Sequence, residues 1–203
     1  PAVIMWSVAN EPMPPNMLAA LTGQETPPVD PSTTDFLRTL HELARELDPT
    51  RPVTHAGMHG SPVEWLELAD VVCINRYYGW YTQPGHPVQG AALLEDELDK
   101  LHETLQRPMI ISEFGTGTIA GQHSHPAKMW TEEYQVRMVN GVIDCANKFP
   151  FCAGVHVWNF ADFKVGQHTG RIVLNWKGVF TRDRHPKMLA HDLKRRWTTG
   201  DGR

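Results

Sequence analysis

Along this chain, short apolar runs alternate with helix-patterned segments without exception, and that alternation restricts the fold more than any other feature. The strand segments cover residues 3–9, 53–56, 70–75, 108–113 and 154–159, the second of them short and of mixed polarity. Between them, helical periodicity and end signals predict helices over Asp35–Leu47, briefly from Ser61, over Ala91–Leu105, from a cap at Thr131 to about Lys148, and over Lys187–Trp197. Strands that are each followed by a helix pair in parallel, so these units imply a parallel sheet. The opening run, Val3 to Ala9, has the composition of a strand buried on both faces. The first helix should bury Phe36, Leu37, Leu40, Leu43, Ala44 and Leu47. Leu94, Leu98, Leu101 and Leu105 should face inward from the third. Ser61-Pro62-Val63-Glu64 reads as a capping box with proline at the first helical position. The polar stretch from Thr22 to Thr34 reads as a long loop after the first strand, a place where substrate contacts collect.

Composition removes several functional classes. The formal charge of −4 is modest, and no basic run points to nucleic acid or an anionic membrane. The cluster Lys194-Arg195-Arg196 falls at a helix C-terminus, where cations complement the dipole. No apolar stretch approaches the ~20 residues that a membrane span needs. The three cysteines are odd in number. Cys73 sits in an apolar strand, and Cys145 and Cys152 lack metal-ligand spacing, which fits reduced core thiols in a cytoplasmic protein. His123-Ser124-His125 invites a metal, but no acidic residue or cysteine completes a ligand set at the usual spacing, so none is assigned. His156 is expected to be a hydrogen-bonded residue of a strand core.

Two glutamates end apolar runs. Glu11 follows Val3-Ile4-Met5-Trp6-Ser7-Val8-Ala9-Asn10, and Pro12 then removes a backbone donor and stops pairing. Glu113 stands likewise in Met109-Ile110-Ile111-Ser112-Glu113-Phe114-Gly115. Carboxylates at the C-terminal ends of parallel strands stand where α/β folds build active sites. A pair of them is the apparatus for breaking a glycosidic bond. One must be protonated to release the leaving oxygen, and the other ionised against an oxocarbenium-like centre.

Asn10-Glu11-Pro12 and Ser112-Glu113-Phe114-Gly115 resemble the acid/base and nucleophile motifs of retaining (β/α)8 glycosidases. Three more stretches sharpen the resemblance: Asn75-Arg76-Tyr77-Tyr78-Gly79-Trp80-Tyr81, Trp158-Asn159-Phe160-Ala161-Asp162-Phe163, and Lys177-Gly178-Val179-Phe180-Thr181-Arg182-Asp183-Arg184. Together they are similar to the bacterial β-glucuronidases of glycoside hydrolase family 2. The resemblance implies an α/β (β/α)8 TIM barrel of which residues 1–203 are the C-terminal portion, about five strand–helix units. On that reading the first three strands and the preceding β-sandwich domains lie outside the sequence.

It also implies the roles of residues. Glu11 would be the acid/base and Glu113 the nucleophile, with Asn10 hydrogen-bonding the sugar 2-hydroxyl. Asn75, Tyr77 and Tyr81 match positions near the nucleophile and the sugar, and Trp158 matches an indole lining the pocket. Tyr78 and Trp80 are read as loop packing. Asn175-Trp176-Lys177, assisted by Arg171, resembles the element that grips the C6 carboxylate of a sugar acid. An amide donor and a fixed ammonium suit that task, although lysines are mostly solvated. The implied partner is a small glucuronide or a glucuronate-ended oligosaccharide, acted on by a homo-oligomeric enzyme with no cofactor. A galacturonidase, a neutral-sugar β-glycosidase and an inactive carbohydrate-binding remnant stay open.

Overall fold

The computed structural model describes residues 2–14, 28–167 and 172–199. The chain divides into two compact units. The first comprises Pro1–Arg76, Lys100–Ser112 and Phe151–Gly154; the second comprises Tyr77–Asp99, Glu113–Pro150 and Val155–Arg203.

Strands β1 (Trp6–Asn10), β2 (Val53–Gly57), β3 (Val72–Asn75), β4 (Met109–Phe114) and β5 (Cys152–Val157) form one sheet in sequential order. β1 and β2, and β2 and β3, pair in parallel. The ladder continues from Val72 N to Pro108 O and from Met109 N to Phe151 O, both at 2.9 Å. Helices follow the first four strands: α1 (Pro31–Leu47), α2 (Val63–Leu66), α3 (Pro87–Leu105) and α4 (Glu132–Asn147). This is the alternation expected for part of a (β/α)8 barrel. β2 and β3 are buried throughout, β2 despite carrying Thr54 and His55. β1 departs from its expectation: it ends the strand order with a partner on one side, and Trp6 is exposed.

In the first unit, α1 begins four residues before its predicted start. Asp30 accepts a hydrogen bond from Ser32 N at 2.9 Å, and Pro31 occupies the first turn, so the loop ends in a helix cap. The predicted apolar stripe is only partly buried. Leu37 and His41 point into the core, whereas Phe36, Leu43 and Leu47 are exposed. The expected capping box at Ser61 does not form: α2 is a single turn whose N-terminus has no side-chain cap, and buried Ser61 Oγ has no partner among the described residues. Burial of Trp65 and Leu66, with Trp65 Nε1 donating to Thr34 Oγ1 at 2.9 Å, holds that turn instead. Asp70 also leaves its predicted strand, accepting from Val53 N at 2.7 Å and from Arg45 at 2.8 Å. Cys73 is buried, as a thiol inside β3 should be.

His41 on α1 and His55 on β2 meet at 3.0 Å between Nε2 and Nδ1, both fully buried. Burial lowers each ring to about 4, and for His41 the charge of the other ring and of Arg45 adds to the effect, while Asp70 opposes it. An unfolded histidine titrates near 6.5. The unfolded chain therefore takes up protons that the folded pair refuses as pH falls from about 6.5 to about 4. This contribution to stability is complete above that window and is lost through it, by up to about 3 kcal/mol per ring. We expect urea midpoints to fall between pH 7.5 and 4.5 less steeply in a His41→Leu/His55→Leu variant than in the parent. Equal slopes would show that the pair does not carry the acid sensitivity.

The second unit is built on α4, whose start and cap agree with the sequence. Thr131 Oγ1 accepts from Tyr134 N at 3.3 Å, and Glu132 and Glu133 occupy the first turn. Tyr134, Met138, Val139, Val142 and Ile143 form its buried face. Helix α5 (Met188–Thr198) adds Leu189 and Leu193, and Asn140 donates to Asp192 at 2.7 Å. The sequence reading has no counterpart for a small antiparallel ladder, β6 (Phe163–Lys164) with β7 (Leu174–Asn175). His156 is exposed on β5 rather than part of a core, a correction that follows from β5 closing the strand order.

Candidate functional site

In the first unit, polar side chains stand at the C-terminal ends of β1 and β3. On β1 the pairing register slips between Ser7 and Asn10, an irregularity of the kind that re-aims a side chain. Asn10 ends the strand and Glu11 follows with φ 51°, in the left-handed region that a glutamate seldom occupies. Glu11 N donates to Ala56 O at 2.8 Å, which holds that conformation.

Asn75, the last residue of β3 and 2% exposed, is the hub of the first unit's cluster. Its Nδ2 donates to Asn10 Oδ1 at 3.2 Å and to Glu11 Oε1 at 3.0 Å. Its Oδ1 accepts from Ser112 Oγ at 2.8 Å. Asn10, Glu11 and Asn75 are thus brought together. Ser112 and Arg76 have no assigned role in the sequence reading. Buried Arg76 donates to Gly57 O at 2.9 Å and Asn75 O at 2.8 Å, tying the ends of β2 and β3. A lone hydroxyl inside Met109-Ile110-Ile111-Ser112, and an arginine directly after a buried strand, are the signals that mark them.

The second unit holds the other cluster. Tyr77 donates its hydroxyl to Glu113 Oε2 at 2.7 Å, the contact expected of a tyrosine that holds a carboxylate in place. Tyr81 packs edge-on against Tyr77, with ring centroids 5.3 Å apart. Lys177, expected either in solvent or on a substrate, is 5% exposed. Its Nζ donates to Tyr81 Oη at 2.8 Å and lies 4.8–5.7 Å from the ring centroids of Tyr77, Trp80 and Tyr81. Trp80 is buried, as packing predicts. Asn175 is 2% exposed; its Oδ1 accepts from Lys177 N at 3.1 Å, and its buried Nδ2 has no hydrogen-bond partner among the described residues. Asn175 and Lys177 line one cavity of about 190 Å³ with Trp80, Tyr81 and Trp130.

Trp158 directly follows β5, half-buried and edge-on to Phe163 at 6.1 Å, and its N donates to Phe114 O at 2.8 Å. A side chain on Gly115 would meet the Trp158 carbonyl, so this approach of the two strand ends requires glycine. Arg171 lies outside the described residues. His123 Nδ1 is 2.8 Å from Glu133 Oε1, and no group of three metal-binding side chains occurs among the described residues.

Residues 1–200 match the model of the TIM barrel domain of glycosyl hydrolases family 2. The chain is 38% identical over 205 residues to the β-glucuronidase of Paenibacillus borealis, covering 97% of this chain and 31% of that protein. It superposes with TM-score 0.85 and 40% identity on the β-D-glucuronidase of Dictyoglomus thermophilum, covering 98% of this chain and 32% of that one. With the β-glucuronidase of Bifidobacterium dentium, solved in complex with coumarin-3-O-glucuronide, the TM-score is 0.86 at 38% identity. There the coverage is 98% of this chain and 31% of that one. The sequence thus spans about a third of the length of these relatives.

Proposed function

This chain belongs to the TIM barrel domain of glycosyl hydrolase family 2, and on that premise we propose that its protein is a retaining exo-β-glucuronidase. Glu113 attacks the anomeric carbon while Glu11 protonates the departing glycosidic oxygen. Glu11 then draws a proton from the water that releases the sugar from Glu113. Such a double displacement needs the two carboxyl groups about 5–5.5 Å apart. The hydrogen bond from Tyr77 would orient Glu113, and Asn10 and Asn75 would steady Glu11 or reach the sugar's hydroxyls.

One observation carries the sugar-acid reading: a buried ammonium and a buried amide with no acceptor among the described residues line the same small cavity. Leaving a buried donor unmade costs about 1–3 kcal/mol. A carboxylate would satisfy the Asn175 amide and meet Lys177 in a charge-assisted bond, which a neutral hydroxymethyl group could not match. The glucuronide bound to the Bifidobacterium dentium relative supports the same choice.

The test is Lys177→Ala, assayed on an aryl glucuronide and the matching glucoside. Hydrogen bonds to charged groups are worth about 1.5–3 kcal/mol, so kcat/KM for the glucuronide should fall roughly 10- to 100-fold. The slow hydrolysis of the glucoside, which lacks the carboxylate, should hardly change. An equal fall on both substrates would make Lys177 a structural lysine and remove the basis for the sugar-acid assignment.

A further inference from the structure

Behind the cavity, within the second unit, lies an ion pair that the proposed reaction does not use. Lys187 and Asp162 meet at 2.9 Å, and their side chains are 0% and 1% exposed. A buried ion pair gives little net stability, because desolvation of both charges offsets their attraction. Here burial pulls the lysine below its ordinary value and pushes the aspartate up. A pair that stabilises so little invites the question of what its geometry accomplishes.

Lys187 Nζ donates to three acceptors: Thr118 O at 2.7 Å, Asp162 Oδ1 at 2.9 Å and Trp176 O at 3.2 Å. Three acceptors match the three hydrogens of an ammonium. Asp162 Oδ1 also accepts from Gly178 N at 2.8 Å. The pair therefore grips the carbonyl before Lys177 and the amide after it. The remaining backbone groups of Lys177 are also bound: its N donates to Asn175 Oδ1 at 3.1 Å, and its O accepts from Asn159 N at 3.1 Å. Thr118 N adds a second bond to Trp176 O at 2.8 Å, and Gln135 Nε2 donates to Gly178 O at 3.1 Å. A side chain at Gly178 would strike the backbone at Ala161 and Asp162, so the segment can sit this close to the pair only as glycine.

We propose that Lys187 and Asp162 are a positioning pair that fixes the backbone on both sides of Lys177, and so aims its ammonium and the neighbouring Asn175 amide at an anionic group of the substrate. This rests on the sugar-acid reading above. Neither residue touches the substrate; both act through the peptide groups at 176 and 178. A lysine side chain held only by its own rotamers would sample several directions, and a charge-assisted bond depends on one. Preference for an acidic over a neutral sugar is then set partly by residues outside the pocket.

The experiment compares Lys177→Ala with two variants of the pair, Asp162→Asn and the double neutral variant Asp162→Asn/Lys187→Met, in the whole protein. Cooperative melting is recorded alongside kcat and KM on the aryl glucuronide and glucoside. In the double variant the glucuronide-to-glucoside ratio of kcat/KM should fall about tenfold or more, mainly through KM. Asp162→Asn, which keeps an acceptor for Lys187 and Gly178, should fold even where the double variant does not, and should lower the ratio by a smaller factor. A ratio that stays at the parent value in the variants that melt cooperatively overturns the positioning role. If Lys177→Ala lowers the ratio and the pair variants do not, only this inference falls. If Lys177→Ala leaves the ratio unchanged, the sugar-acid reading falls first and takes the inference with it.

Discussion

Replacing Glu113 by alanine is expected to lower kcat on an aryl glucuronide by about 10⁴-fold or more, the scale of losing a covalent nucleophile. The expectation follows from where the side chain stands. Glu113 lies near the end of β4, and its Oε2 accepts the Tyr77 hydroxyl, a bond that fixes the direction of the carboxylate. Truncation opens space on the face from which the nucleophile attacks. Added azide should then strike the anomeric carbon from that face, expel the phenolate and form the α-glucuronosyl azide, with partial recovery of rate. A β-configured azide from Glu113→Ala would mean that the attacking face belongs to another residue, and the roles of Glu11 and Glu113 would be exchanged.

Glu11→Ala should show a different signature. General acid catalysis is worth about 10²–10⁴-fold where the leaving oxygen is basic, and little where it leaves unaided. Natural-type alkyl glucuronides should therefore lose most of their turnover, while dinitrophenyl glucuronide should still load the enzyme at close to the parent rate. The sugar should then accumulate on Glu113, because no base activates the water that releases it. Azide should relieve the block and give the β-configured product. Equal losses across the series of leaving groups would argue that Glu11 shapes the site through Asn75 rather than by moving a proton.

How much of this can be read from the residues alone differs by element. β3 and β4 are legible because they are short, mainly apolar runs bounded by turn residues, whereas β2, Val53-Thr54-His55-Ala56-Gly57, is legible only from its place after a helix and a Pro-containing turn. Glu11 and Glu113 are legible as strand-end carboxylates. Helix α1 is harder: its buried line runs through His41, whose partner His55 sits in a strand, and a histidine inside a leucine row hides the true face. The turn at Ser61 carries the letters of a capping box, yet a single turn held by Trp65 has no need of it. β6 and β7 are too short, at two residues each, to leave a periodic trace. In the site, the residue types are legible and their partners are not. Asn75 reaches Glu11 across 64 positions and Lys177 reaches Tyr81 across 96, separations that no local pattern encodes. Lys187 is the extreme case, since a lysine at the start of a predicted helix gives no sign that it will be fully buried.

The three rings around Lys177 bear on how the protein would behave in salt. A lysine in open solvent is surrounded by mobile counter-ions, and its pull on an anionic ligand weakens as ionic strength rises. At Lys177 the tyrosine and tryptophan faces take up part of the space that water and small ions would fill, and their quadrupoles favour the cation. Much of the ammonium's hydration shell is thus removed when the chain folds, before any ligand arrives. On the proposed function, an acidic sugar entering the cavity would meet a charge that is already partly dry, so its recognition should depend on fit within the pocket more than on the ionic composition of the medium.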